Sequence, residues 1–249
     1  MKYQLRDYQK KASDAAVMYF KMKSGRNGLL VLPTGAGKSL IIADIAARLE
    51  EPLIVFQPNK EILEQNFAKL QTYGIWDCSI YSASVGRKEI SRITFATIGS
   101  VIRHMKDFQH FKNILIDECH LVKPSDGMYK RFFEQAERRI VGLTATPYRL
   151  YSCMNGSMLK FLTRTRPRVF SQVLYYCQVS ELLAKGFLSR LKYYDVTRID
   201  LTKVRRNSSG ADFDDASLSD EFRRVDLYGY LISIVKRLLH PKVGGARKG

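Results

Sequence analysis

No apolar run in the 249-residue chain is long enough to cross a bilayer. The longest, such as LLVL and LIVF, fall far short of the ~20 residues a spanning helix needs, and the opening MKYQLRDYQKK is too polar for a secretory signal. Cysteine is scarce: Cys78, Cys119, Cys153 and Cys177 stand far apart, with no CxxC pair and no dense spacing. That argues against a disulfide framework and a zinc knuckle, and for reduced thiols in a cytoplasmic protein with no membrane contact and no structural zinc. There is no internal repeat. Acids are also in deficit, 24 against 41 Lys and Arg, for a net charge of +17. The excess runs along the whole chain, 22 basic against 15 acidic residues through Pro147 and 19 against 9 after it. Such a balance implies a polyanionic partner, nucleic acid foremost, with a merely soluble basic surface as the plain alternative.

What is present suffices for a core: 45% of residues are apolar and 11% aromatic. Short, β-rich, non-alternating runs at Leu29–Leu32, Leu53–Phe56, Ile93–Ala96, Ile114–Ile116 and Ile140–Leu143 read as buried parallel strands. Helical composition lies between them at 4–23, 38–50, 60–72 and 128–138, and the βαβα order predicts a doubly wound, mainly parallel α/β sheet. After Pro147 the pattern loosens into the basic, extended FLTRTRPRVF, a strand-like KYYDV and the polar loop RRNSSGADFDD. From Leu218 the positions Phe222, Val225, Tyr228, Ile232, Val235 and Leu239 step by three or four, predicting one helix with a buried stripe.

In LLVLPTGAGKS a strand runs into a glycine-rich turn and then an apolar helix, the arrangement that cradles phosphates with backbone N–H groups. Thr34, Gly35, Ala36 and Gly37 would form the cradle. Lys38, expected to face solvent without a ligand, would neutralise β- and γ-phosphate oxygens, and Ser39 would ligate Mg²⁺. Leu32 stands where the pattern G-x-x-x-x-G-K-[ST] has its first glycine. ILIDECH, at 114–120, then supplies Asp117 at a neighbouring strand end to hold hydrated Mg²⁺, and Glu118 to orient or deprotonate the attacking water. A glycosidase-type carboxylate pair leaves Lys38 and Ser39 unexplained. Zinc at Cys119 and His120 lacks a second Cys/His pair at finger spacing, so Cys119 reads as a small apolar residue.

LPTGAGKS, IDECH and GLTATPYR, in that order, resemble motifs I, II and III of superfamily 2 helicases of the DEAD/DEAH-box group, in a DECH variant. LRDYQKKA resembles the Q-motif region, VFQPNKEILEQ motif Ia and FATIGSV motif Ib, so the likeness spans 5 to 149. Within the superfamily the wording is similar to RadD-type DNA repair helicases and, further off, type III restriction motor subunits. The resemblance implies a RecA-like P-loop NTPase domain that uses ATP and Mg²⁺. Gln9 would read the adenine edge with Arg6 packed nearby. Thr144 and Thr146 would couple the nucleotide site to the strand-binding face, and His120 would touch motif III or a second domain.

On that face Asn59 and Lys60 sit at one strand-to-helix turn, and Thr97, Gly99 and Ser100 at another, where N–H groups and hydroxyls can hold backbone phosphates or simply cap helices. Arg164, Arg166 and Arg168 would extend the track or form a solvated face. The organisation expected is a RecA-like domain over 1–197 and a basic linker with an amphipathic helix over 198–249, leading towards a second RecA-like domain that carries motifs IV to VI. The function expected is an ATP-dependent helicase or translocase, DNA favoured and RNA the alternative, with a restriction motor as a further reading. A switch or transporter ATPase would not need the TAT triplet, and a binding module with a dead nucleotide site would not need Glu118.

Overall fold

Four-residue apolar strands buried on both faces build the centre of the molecule. The protein is described by a computed structural model over residues 4–22, 26–153, 156–190, 199–207 and 213–239. Strands β1 (Gly28–Val31), β2 (Leu53–Phe56), β3 (Cys78–Ser82), β4 (Arg87–Lys88), β5 (Ile93–Ala96), β6 (Asn113–Ile116), β7 (Arg139–Thr144) and β10 (Gln172–Tyr176) form one sheet in the order β10-β1-β7-β6-β2-β5-β3-β4. Every pairing is parallel except the antiparallel edge pair β3–β4. Strands β8 (Tyr148–Cys153) and β9 (Gly156–Phe161) make a separate two-stranded sheet.

Alternate residues of each central strand feed opposite cores, because side chains on a strand alternate faces. Leu30, Val55, Leu115 and Val141 pack with α1 (Asp7–Lys21), α2 (Lys38–Arg48) and α3 (Lys60–Thr72). Leu29, Ile54, Phe56, Ile114, Ile116 and Ile140 pack on the other side with α4 (Ile98–Val101) and α5 (Met128–Phe133). The five expected strands are all present, which makes the sheet doubly wound as predicted. β10 was not foreseen: it lies parallel beside β1, and its burial is partial, so its sequence carries no long apolar run. Helix α5 stops at Phe133 rather than 138, because buried Arg138 turns back to donate from Nε to the Phe132 carbonyl and from Nη1 to that of Phe111.

The contacts divide the chain into residues 1–151 with 158–190, which carry the sheet, and 152–157 with 191–249. In the second unit the expected single helix is two, α7 (Asp215–Arg224) and α8 (Leu227–Leu239). Asp226 takes a left-handed φ of 47° between them, and its carboxylate accepts from the Gly229 N–H that opens α8. The break removes the continuous stripe: Tyr228, Ile232 and Val235 are exposed. KYYDV and the side chain of Leu239 lie outside the described residues. Among the described residues no helix is long and apolar enough to cross a membrane, and no cluster of metal-ligating side chains stands out.

Candidate functional site

Pro33 to Gly37 turn the chain from β1 into α2. Gly35 and Gly37 both hold positive φ, 80° and 76°, which side-chain-bearing residues avoid. The turn is closed from behind. Tyr8 Oη and Gln9 Nε2 each donate to the Ala36 carbonyl at 2.9 Å, and the Ala36 N–H donates to Pro33 O. A Cβ on Gly37 would meet Gln9 Nε2 at 2.5 Å. Helix α2 starts at Lys38 with Gly37 as its cap, so no side chain caps it and no acid lies in its first turn, where Ser39 sits half-buried. An uncapped helix start with no acid in its own first turn is suited to an anion. Leu32, in the place of the pattern's first glycine, is fully buried in the core, so the turn proper begins after it. Thr34 is exposed on the turn.

Gln9 does more than a base-reading role requires. Its Oε1 accepts from the Arg6 N–H at 2.9 Å while its Nε2 holds Ala36, so one amide caps α1 and braces the cradle. One further amide hydrogen and lone pair remain in its inventory for a ligand. Arg6 lies over the Phe187 ring, 4.3 Å from guanidinium carbon to centroid, and Tyr8 meets the same ring at 5.8 Å. Leu188 approaches Gly35, where a Cβ would come within 3.0 Å of its Cδ2. Phe187 and Leu188 follow α6 (Val179–Ala184), far from the cradle in sequence, and no motif marks them. Tyr8 does carry a local signal, being adjacent to Gln9.

β7 separates β1 from β6 in the sheet, and the tops of the three strands carry the rest of the site. Lys38 does not face solvent: its Nζ donates to Glu118 Oε1 at 2.6 Å, and its side chain is 13% accessible. The expectation failed because Glu118 follows β6 in a left-handed turn, φ 46° and ψ 48°, that swings its carboxylate back over the cradle. Such a conformation is uncommon for a residue with a side chain and stores strain. Asp117 is buried, its Oδ1 accepting from the Glu118 N–H at 3.0 Å and its Oδ2 from Asn66 Nδ2 at 3.2 Å. Burial pushes its carboxyl above the usual range; Lys38 opposes that shift and the charge of Glu118 adds to it. Cys119 is fully buried against Gly142, and burial holds its thiol well above the ordinary value, as a packing residue requires.

From Glu118 the contacts continue into β7. His120 Nδ1 lies 3.3 Å from Glu118 Oε2 and 3.0 Å from Thr144 Oγ1, which accepts from the Thr146 N–H at 3.0 Å. Lys38, Glu118, His120, Thr144 and Thr146 thus form one chain of polar contacts. Arg149 joins it by donating from Nε to the His120 carbonyl.

The residues expected to face a nucleic-acid strand gather at a cleft of about 500 Å³ that includes Asn59, Lys60, Thr97, Gly99 and Ser100, with Lys88 and Arg103 beside them. Three of these, Asn59, Thr97 and Ser100, are already engaged. Asn59 Oδ1 caps α3 by accepting from the Ile62 N–H at 2.9 Å, which is the plain capping role. Thr97 Oγ1 pairs with Ser100 Oγ at 2.9 Å, and Ser100 Oγ accepts from the Ala83 N–H. Arg164, Arg166 and Arg168 are all exposed and line no part of this cleft.

Residues 2–149 match the family described as type III restriction enzyme, res subunit. The chain is 30% identical over 151 residues to the DNA 3'-5' translocase XPB2 of Sulfurisphaera tokodaii, covering 59% of this chain and 32% of that protein. It is 29% identical over 154 residues to the DNA 3'-5' helicase XPB of Mycobacterium tuberculosis, covering 58% and 27%. It therefore spans about a third or less of these relatives' length. In fold it is similar to a nuclease-deletion mutant of the type ISP restriction-modification enzyme LlaGI, with a TM-score of 0.53 at 14% identity over 74% of this chain and 18% of that one. The family match takes in all three ordered motifs and more than half of the sequence, and the chain belongs to the type III restriction enzyme, res subunit, family.

Proposed function

We propose that residues 1–197 are the ATP-binding, RecA-like motor domain of a helicase or translocase acting on DNA, with 198–249 linking to a second RecA-like domain. The observation that carries this reading is the Lys38–Glu118 ion pair at 2.6 Å, which brings the phosphate cradle and the hydrolytic acid to one point. The uncapped start of α2, the glycine turn and a buried Asp117 at the neighbouring strand end all fit Mg-ATP. The names of the two XPB relatives favour DNA over RNA.

In this mechanism Lys38 exchanges Glu118 for terminal phosphate oxygens, with the α2 N–H groups beside it. Glu118, released from Lys38 and still beside His120, orients the attacking water and takes its proton. Asp117, fixed on both oxygens by Asn66 and the Glu118 N–H, would hold Mg²⁺ through water together with Ser39. Bound Mg²⁺ would supply charge neutralisation on the phosphate oxygens. Gln9 and Arg6, framed by Phe187, would receive the base. His120, Thr144 and Thr146 would pass the state of Glu118 to the strand-binding side, where Lys60, Gly99 and the Thr97–Ser100 pair contact backbone phosphates. Lys38, Ser39, Asp117 and Glu118 form one wall, and arginines of the second domain would complete it; such arginines are commonly worth ~10³–10⁵ in rate.

Calorimetry with Mg-ATP on residues 1–249 should show binding, with turnover orders of magnitude below that of a chain extended through a second RecA-like domain. Absence of Mg-ATP binding would sink the site. A second reading, the translocating motor of a restriction system, is favoured by the family match. This second reading expects duplex translocation without strand separation by the extended chain.

A further inference from the structure

Beyond the motif-bearing groove, the first unit has another basic cleft, of about 610 Å³, beside the sheet of β8 and β9. His120, Lys123, Asp126, Arg149, Tyr151 and Arg166 line it. Three formal cations face one acid, and two tyrosine rings, Tyr148 and Tyr151, stand among them. Period-two alternation places Arg149 and Tyr151 on the same side of β8. Arg149 fixes that side towards the site, since its Nε donates to the His120 carbonyl. Tyr151 carries the Lys160 ammonium 5.1 Å from its ring centroid, which adds a fourth cation beside the cleft's lining. Arg166 is exposed, its Nη1 donating only locally to its neighbour's carbonyl at 3.1 Å.

Cations interleaved with an aromatic ring form the combination that holds single strands: the ring stacks a base and the cations meet successive phosphates. A duplex keeps its bases stacked on one another and offers none to Tyr151. We infer that this cleft is a second contact for single-stranded nucleic acid, in which Tyr151 stacks one base while Lys123, Lys160 and Arg166 neutralise the adjoining phosphates. The inference rests on the nucleic-acid reading above and adds a site outside motifs Ia and Ib. Its place gives it consequence. Arg149 lines the cleft and holds the backbone of His120, whose ring touches Glu118, so a strand bound here lies one residue from the hydrolytic acid.

The test uses the 249-residue chain and an oligothymidylate carrying one 2-aminopurine, whose fluorescence falls on stacking against an aromatic ring. Binding should quench the probe. Tyr151→Ala should weaken binding by about 5- to 100-fold and remove the quenching, while Tyr151→Phe keeps both. Arg166→Gln should leave quenching in place and lower the slope of log affinity against log salt by about 1, which keeps the proposal open to failure if Tyr151→Ala does not fold. Unchanged affinity and quenching in Tyr151→Ala, with Lys60→Ala still weakening binding, would overturn this cleft and leave the nucleic-acid reading standing; that is also the result if a protein domain is what covers it. Equal loss for a blunt duplex would overturn the single-strand assignment. No binding of any strand by the unmodified chain at low salt would remove both readings.

Discussion

Helices α2 and α3 begin alike, each just past a strand of the same sheet, yet one start is left open and the other is closed. Gly37 has no side chain with which to cap α2, no acid lies in the first turn, and the nearby cation Lys38 is held by Glu118. Asn59 caps α3 with its own side chain, Glu61 sits in the first turn, and Lys60 stays exposed. The difference separates two ways of meeting phosphate. At α2 the protein stores a charge pair that, on the proposed reading, an incoming phosphate exchanges, tying binding to the release of Glu118. At α3 the N–H groups are partly satisfied, so the proposed strand contact there would fall to side-chain charge and hydroxyls and be weak and salt-dependent.

The largest effect should come from separating the two halves of the stored pair. Glu118→Gln, measured as strand-stimulated turnover of a chain extended through the proposed second domain, should lose about 10²–10⁴-fold while Mg-ATP affinity is retained, because the amide no longer competes as an anion for Lys38. A parallel fall in affinity would show that Glu118 builds the pocket rather than performing the step. Lys38→Ala should act the opposite way: calorimetry should find Mg-ATP binding weaker by roughly 10- to 100-fold, the value of a charge-assisted contact. Gly37→Ala tests the open helix start. Its Cβ would strike Gln9 Nε2 in a left-handed backbone, so urea unfolding should report a loss of about 1–2 kcal/mol or more. Asn59→Ala should cost about 1 kcal/mol of stability through the lost cap and leave Mg-ATP affinity untouched. If that variant instead abolished strand binding at full stability, Asn59 would be a phosphate ligand first and a cap second.

Much of the architecture was legible because buried parallel strands are short apolar runs, and LIVF, ITFA and NILI are buried at every position. The cradle was legible because positive φ at Gly35 and Gly37 demands glycine. Less visible were features made by distant segments. Phe187 reaches Arg6 and Tyr8 from beyond β10, itself a partly buried strand with a weak pattern. The α7–α8 break was hidden because the three-four spacing of apolar residues runs through it, although Asp226 turns the chain there.

Sequence alone determined which residue types meet at the strand tops, since each motif is local and its turn chemistry follows from neighbours in the chain. It also set the basic excess and the alternation of helix and strand. Only the tertiary structure decided their states: that Lys38 rests on Glu118, that Gln9 braces Ala36, and that Asn59 is occupied as a cap. Those outcomes depend on distances between segments far apart in the chain, or on which of two partners a side chain takes. Local pattern is silent on both, because a carboxylate or an amide has the same chemistry whether it faces a ligand or a neighbouring residue.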